Sequence, residues 1–278
     1  MLLRFSKMHG LGIDLMVIDL ISQYAYIQPQ HMRAWSDRRC GVGFARLALI
    51  EVPQDPDVDF SCRIFDGDGV EVDWLASDLC CVARLVADKR LISKAQMRVE
   101  VRQAVLDVQV HADGSVTVAL EKPELLTEPT VLAQAFIEQP RHAPWRLDSC
   151  FTMLTDNSGS HALLRVVDVM QVPMAELLEH LEAHACLPLG SVISLLQVQS
   201  RQTLIVQMWQ LGAGVIDSFS PDLCALAVLA MQQGWLDRQA QIECGNGTVS
   251  AHLEWLENAP QMYFTGSATR IYEGQIRL

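Results

Sequence analysis

A chain of 278 residues, half of them hydrophobic, is long enough to bury two substantial cores, and its composition fits a folded cytoplasmic protein. A formal charge of −12 argues against direct nucleic-acid binding, and the longest apolar run, around Leu223 to Met231, is too short to span a bilayer. Eight cysteines without paired Cys-x-x-Cys or histidine spacing argue against both a zinc site and a disulfide framework.

In chain order, Met1 to Lys7 alternates like a strand and lacks the apolar core of a secretory leader. Period-two runs predict strands at 2–8, 14–19, 46–52, 59–65, 97–101, 105–111 and 116–120, with Asp113-Gly114 turning the last pair. Helices are predicted near 30–38 and 78–89. The stretch 121–147 holds Pro123, Pro129, Pro140 and Pro144 and reads as a boundary. Strands follow at 150–155, 162–167, 192–198 and 203–209, helices at 174–185 and 222–233, then strands to the end. Many strands with one apolar helix per half predict an α+β fold, a barrel-like mixed or antiparallel sheet wrapped around a central helix, twice.

Two stretches of the chain match one another. Arg63 to Ala83 and Gln207 to Ala227 overlay so that Asp73 falls on Asp217 and Asp78-Leu79-Cys80 on Asp222-Leu223-Cys224. Each reads as strand, glycine turn, short loop and apolar helix. Ser220-Pro221-Asp222 is a helix-start signature, with serine at the cap, proline at the first helical position and aspartate in the first turn. Ser77-Asp78 offers the same chemistry at the other helix. In both, side-chain oxygens satisfy the free N–H groups, and the aspartates repel an incoming anion.

Other segments carry a family likeness. They are Phe5-Ser-Lys-Met-His-Gly-Leu-Gly12, Gly41-Val-Gly-Phe44, Arg63-Ile-Phe65 with Asp68-Gly69 and Glu71-Val72, and Gly212-Ala-Gly214. Gln232-Gln-Gly234, Thr265-Gly266 and Ile271-Tyr-Glu-Gly274 complete the set. In order and spacing this resembles the diaminopimelate epimerase family over essentially the whole chain. The resemblance implies an isomerase scaffold that inverts an amino-acid α-carbon with two cysteines and no cofactor, pyridoxal phosphate included. It implies two pseudo-symmetric domains with a cleft between them: 1–120, to which strands at about 264–278 return, and 121–263. The resembling bacterial enzymes are generally dimeric.

The pattern breaks at the chemistry. Where the family has Cys-Gly-Asn-Gly this chain has Leu75-Ala76-Ser77-Asp78, and where it has Cys-Gly-Ser/Thr-Gly this chain has Phe219-Ser220-Pro221-Asp222. An α-proton is only weakly acidic, so one face needs a thiolate base and the other a thiol acid, which a helix N-terminus activates. Leu75 and Phe219 neither accept nor donate a proton. By the resemblance, asparagines that grip the substrate fall at Ile13, Asp66, Gly159 and Val192. Gln210-Leu211 replace a Glu-Arg, Val215 a glutamate, and Arg46 stands where glutamine is usual. His161 survives from an Asn-Pro-His motif, with Gly159-Ser160 in place of its partners, and reads as a satisfied structural group. Cys80, Cys81 and Cys224, a helical turn or more beyond the thiol positions, read as small buried apolar residues. Cys244-Gly-Asn-Gly247 spells the missing motif but falls where a hairpin belongs, with Asn246-Gly247 as its tight turn.

The expectation is a protein with no catalytic residue, metal or cofactor. Ile13, Arg46, Asp66, Ala76, Ser77, Gly159, Val192, Gln210, Leu211, Ser220 and Pro221 become vestigial substrate-pocket positions. It would act in binding or regulation, as a homodimer or as a heterodimer with an active epimerase, touching neither nucleic acid nor membrane. The alternative is a cofactor-independent epimerase, racemase or isomerase of altered chemistry that uses Asp66, Asp73, Asp217 or His161.

Overall fold

The computed structural model describes residues 1–121, 130–131, 147–155, 159–183, 187–212, 214–216, 221–244, 249–255 and 261–278. The first part of the chain forms β1 (Leu2–Gly10), β2 (Ile13–Asp19), α1 (Pro29–Ser36), β3 (Arg46–Glu51) and β4 (Phe60–Asp66). Then come α2 (Ala76–Asp88), β5 (Gln96–Val101), β6 (Ala104–Val110) and β7 (Ser115–Glu121). The second part carries β8 (Thr130–Val131), β9 (Leu147–Thr155), β10 (Gly159–Val166), α3 (Met174–Ala183), β11 (Val192–Ser200) and β12 (Thr203–Gln210). It continues with β13 (Gly214–Ile216), α4 (Pro221–Gln232), β14 (Gln239–Cys244), β15 (Val249–Trp255) and β16 (Gln261–Arg277). The chain divides into two compact units, residues 1–120 with 263–278, and residues 121–262.

In the first unit the strands run β1-β2-β3-β4-β5-β6-β7-β16, and β16 pairs back onto β1 from Leu2↔Arg277 to Gly10↔Ala268. The result is a closed eight-stranded mixed barrel, parallel at β2/β3 and β4/β5. Helix α2 contacts β1, β2, β3 and β6, and ten of its 13 residues are buried. A helix with so few exposed positions needs such an enclosure. Helix α1 sets Met32 and Trp35 against Leu3, Met16, Leu47 and Leu49. With cover on both faces, β2 and β3 are buried almost end to end instead of alternating.

The second unit repeats the pairing scheme. Strands β10/β11 and β12/β14 are parallel, while β9/β10, β11/β12 and β14/β15 are antiparallel. Its core gathers Leu164, Leu177, Ile193 and Leu195 from β10, α3 and β11.

Two boundaries differ from the sequence expectation. Helix α2 starts at Ala76 with Leu75 as its N-cap, earlier than the expected 78, so Ser77 lies inside the helix instead of capping it. The proline-rich boundary carries the short strand β8, and β13 adds a strand beside β12 that no periodic run announced. Cys244 pairs with Val249 across β14 and β15, the hairpin arms expected there, and the turn residues 245–248 lie outside the described residues.

Candidate functional site

The β1–β2 connection sets up one end of the first barrel. Leu11 and Gly12 both have positive φ (52° and 85°), the two-residue hairpin conformation that suits glycine and strains leucine. The turn delivers Ile13, buried, to the start of β2. Two residues on, Leu15 pairs with Arg46 at the head of β3, and Arg46 with Asp66 at the end of β4.

Arg46 links this strand row to the first turn of α2. Its Nη1 donates to Asp78 Oδ2 at 2.7 Å, with side-chain exposures of 12% and 0%. The same Asp78 oxygen accepts the Leu75 N–H at 2.9 Å, so Asp78 caps the helix by reaching back one turn. Burial pushes the Asp78 carboxyl up to about 6, while Arg46 and the Leu75 N–H pull it down. Asp78 is therefore mainly a carboxylate at neutral pH, and the cap supplies the negative charge a helix start favours. Ser77 Oγ and Asp78 Oδ1 are buried without a hydrogen-bond partner.

The segment entering α2 is braced from two sides. Arg46 Nη2 donates to the Asp73 carbonyl, and Arg102, on the β5–β6 turn, pairs with the Asp73 carboxylate. Arg102 also donates to the Glu71 carbonyl at 3.0 Å. Asp73 is otherwise in solvent, its side chain 84% exposed. Asp66 shapes a turn, its Oδ1 accepting the N–H groups of Asp68 at 3.0 Å and Val70 at 2.8 Å. Leu75 is half-buried and Ala76 buried beside this cluster. Sequence reasoning singles out Arg46, Asp73 and Asp78 but not their pairing, and it misses Arg102, whose place in a hairpin turn is the available signal.

In the second unit His161 pairs with Val192 and Val192 with Gln210, the same row that Leu15, Arg46 and Asp66 form in the first. Val192, buried, is thus the ladder counterpart of Arg46. Gln210 Nε2 donates to the Gly190 carbonyl at 3.2 Å, Leu211 is buried, and Val215 is exposed. Gly159 opens β10 opposite Thr155. His161 is fully buried, its Nε2 2.8 Å from Ser194 Oγ and its Nδ1 without a partner. Burial pushes its pKa down to about 3, so the ring is neutral. Helix α4 begins at Pro221, the expected first helical position. Asp217, Phe219 and Ser220 lie outside the described residues.

The remaining thiols are placed as core residues. Cys80, Cys81, Cys224 and Cys244 are all buried. Burial pushes Cys80 up to about 12 and Cys81 well above the ordinary thiol value, which leaves both as unreactive thiols. Among the described residues no group of three or more His, Cys, Asp or Glu side chains is placed to hold a metal, and no helix is long and apolar enough to cross a membrane.

No family model matches the sequence. Known proteins do, end to end. The diaminopimelate epimerase of Pseudomonas syringae pv. tomato is 40% identical over 280 residues, and that of Azotobacter vinelandii 41% over 291, covering 100% of both chains in each case. The chain belongs to the diaminopimelate epimerase family. Solved structures agree on the fold of the family. A predicted epimerase from Pseudomonas aeruginosa superposes with a TM-score of 0.70 at 15% identity, covering 99% of each chain. A PhzF-family phenazine biosynthesis protein from Enterococcus faecalis reaches 0.71 at 10% identity over 100% of each chain. At those identities the likeness concerns the fold alone, and the epimerase-family barrel around a central helix is what the chain shares with them.

Proposed function

We propose that this member of the diaminopimelate epimerase family has lost α-carbon epimerisation and serves as a binding or regulatory protein. Leu75 is the deciding residue. It is the N-cap of α2, where the family motif calls for a thiol, and an aliphatic side chain neither takes nor gives a proton. A positioned acid or base contributes roughly 10²–10⁴-fold, and the motif loses one here and a second at Phe219. No nearby thiol compensates, because Cys80 and Cys81 are buried within the helix. Apolar Ile13, Val192 and Leu211 further remove polar grips on an amino acid.

The reading of altered chemistry draws less support. Asp66 spends its carboxylate on a turn, Asp73 pairs with Arg102, and His161 is neutral and buried. The expected outcome is no exchange of the α-proton of diaminopimelate in deuterated water. Exchange that co-purifies with the protein would sink the proposal. Leu75→Cys with Phe219→Cys is expected to leave the protein silent, since Ile13, Val192 and Leu211 remain.

A protein of this kind still has its scaffold to offer, as a homodimer or as a partner of an active epimerase whose stability or closure it alters. Exposed apolar Leu2 on β1 and Ile271 and Tyr272 on the paired strand β16 support association through the sheet surface. Sedimentation velocity at micromolar concentration is expected to show a dimer, alone or on mixing with an active homologue. A monomer in both experiments would remove this part of the proposal.

A further inference from the structure

Helix α2 ends before the barrel around it does. Gly10 of β1 faces the middle of α2, since a β-carbon built on it would sit 2.7 Å from Cys81 Sγ. Side chains alternate along a strand, so Ser6 and Arg4 share that face. Ser6 is level with the end of the helix. Its Oγ donates to Glu273 Oε1 at 3.3 Å, the atom that Lys89, the C-cap of α2, reaches at 3.2 Å. Arg4, two residues nearer the chain start, projects beyond the helix and is exposed. A groove of about 670 Å³ opens here. It lies at the opposite end of the 13-residue helix from Leu75, about 20 Å away at the rise of an α-helix.

Arg4, Lys89 and Arg270 line this groove against the carboxylates of Asp19 and Glu273, which leaves it net positive on a chain of net charge −12. Both carboxylates are already bonded. Asp19 accepts the N–H groups of Ile21 at 2.8 Å and Ser22 at 3.1 Å, and the Ser22 hydroxyl as well. Glu273 Oε1 draws in Lys89 and Arg270, each at 3.2 Å. Two cations from different elements thus reach a single oxyanion, and each keeps further N–H donors. Arg4 is uncommitted: among the described residues its guanidinium makes no hydrogen bond or ion pair. Its backbone is nonetheless fixed, because the Gln23 side-chain amide accepts from Arg4 N at 3.0 Å and donates to Arg4 O at 2.7 Å.

We propose that this groove, in the mouth of the first barrel opposite the motif positions, binds a phosphate group between Arg4, Lys89 and Arg270. Cations that approach from β1, α2 and β16 suit a tetrahedral dianion with several peripheral oxygens, and an arginine fork bonds two of them at once. The volume is that of a small-molecule site, with room for an organic phosphate, and half-buried Leu91 supplies an apolar wall. Glu273 competes with the ligand for two of the three cations. The inference goes beyond the loss of epimerisation and does not rest on it.

The test is calorimetric titration of the full chain with inorganic phosphate and with glycerol 3-phosphate, at one ionic strength set by sodium chloride. Wild type is expected to bind at least one of the two saturably, one per chain, and the tighter probe identifies free phosphate or an ester as the source. Arg4→Gln and Lys89→Gln are expected to weaken binding about tenfold or more, the usual loss for a charge-assisted hydrogen bond. Arg201→Gln, which removes the same charge from the second unit, is expected to leave it unchanged. Glu273→Gln is expected to bind more tightly. Amide NMR shifts of wild type on titration are expected to centre on Arg4, Lys89 and Arg270, a readout that stands even where a variant does not fold. No saturable binding of either probe would overturn the site, as would an equal loss in Arg201→Gln. Weaker binding by Glu273→Gln, or shifts centred on the first turn of α2, would overturn it too.

Discussion

Asp78 and His161 are both fully buried ionisable side chains, and burial penalises the charged form of each. For the carboxyl that means a raised pKa, about 6, and for the imidazole a lowered one, about 3. Their effects on stability therefore have opposite signs. The folded state binds a proton on His161 less readily than the unfolded chain, so its contribution is complete above the ordinary value of 6.5 and is lost as pH falls toward about 3. Asp78 contributes below its ordinary 3.8, and that contribution is lost as pH rises through about 6. Comparing wild type with His161→Gln at each pH cancels the Asp78 part. Urea unfolding between pH 6.5 and 4 is expected to show wild type losing up to ~1.4 kcal/mol per pH unit more than the variant. Parallel pH profiles would show that His161 charges freely within the fold. That Leu75 and Phe219 carry no thiol is readable at this scale, because an absent atom needs no geometry to be absent. The role of Ser77 was not readable, because a serine just ahead of an apolar run suits a cap as well as the first turn, and only the backbone path into Ala76 decides.

At the scale of elements, α2 lies so close to β1 that a glycine marks the contact. A β-carbon built on Gly10 would sit 2.7 Å from Cys81 Sγ and 3.3 Å from the Ser267 carbonyl oxygen. Gly10 is the first glycine of the His9-Gly10-Leu11-Gly12 segment of the family opening, and close helix–strand packing gives that glycine a physical reason. Gly10→Ala is expected to destabilise by ~1–3 kcal/mol, the usual cost of overpacking, and adding Cys81→Ala to recover most of it. Denaturant unfolding of the four-member cycle measures this, and additive effects would mean that helix and strand do not meet there. The elements themselves were largely legible from periodicity and turn residues. Strands β2 and β3 were found although they do not alternate cleanly, since helical cover on both faces replaces alternation with continuous apolar sequence. Strand β13 was not, since three residues carry no period.

At the scale of the molecule, the first unit is assembled from both ends of the chain. Strand β16 lies between β7 and β1, and a hydrogen bond between Thr117 Oγ1 and Thr265 Oγ1, 2.7 Å long, joins its side toward β7. Removing residues 263–278 would leave two unpaired edges and open the enclosure around α2. A chain ending at residue 262 is expected to lose cooperative folding of the first unit, with Cys62, Cys80 and Cys81, buried in the full chain, reacting rapidly with a thiol reagent. Continued protection of these thiols would show that the barrel tolerates an open edge.

The sequence by itself determined most of the elements, the internal repeat, the family likeness and the absence of a thiol from Leu75 and Phe219, because each depends on local period or on which atoms are present. Tertiary structure decided which charges meet. Arg46 and Asp78 are 32 residues apart and Arg102 and Asp73 are 29 apart, separations that no local pattern encodes. It also decided protonation, because desolvation depends on the whole enclosure around a group and not on its neighbours in the chain. By sequence Asp78 reads as a helix-start side chain that repels an incoming anion. Only the closed barrel around α2 makes it a buried carboxylate paired with Arg46.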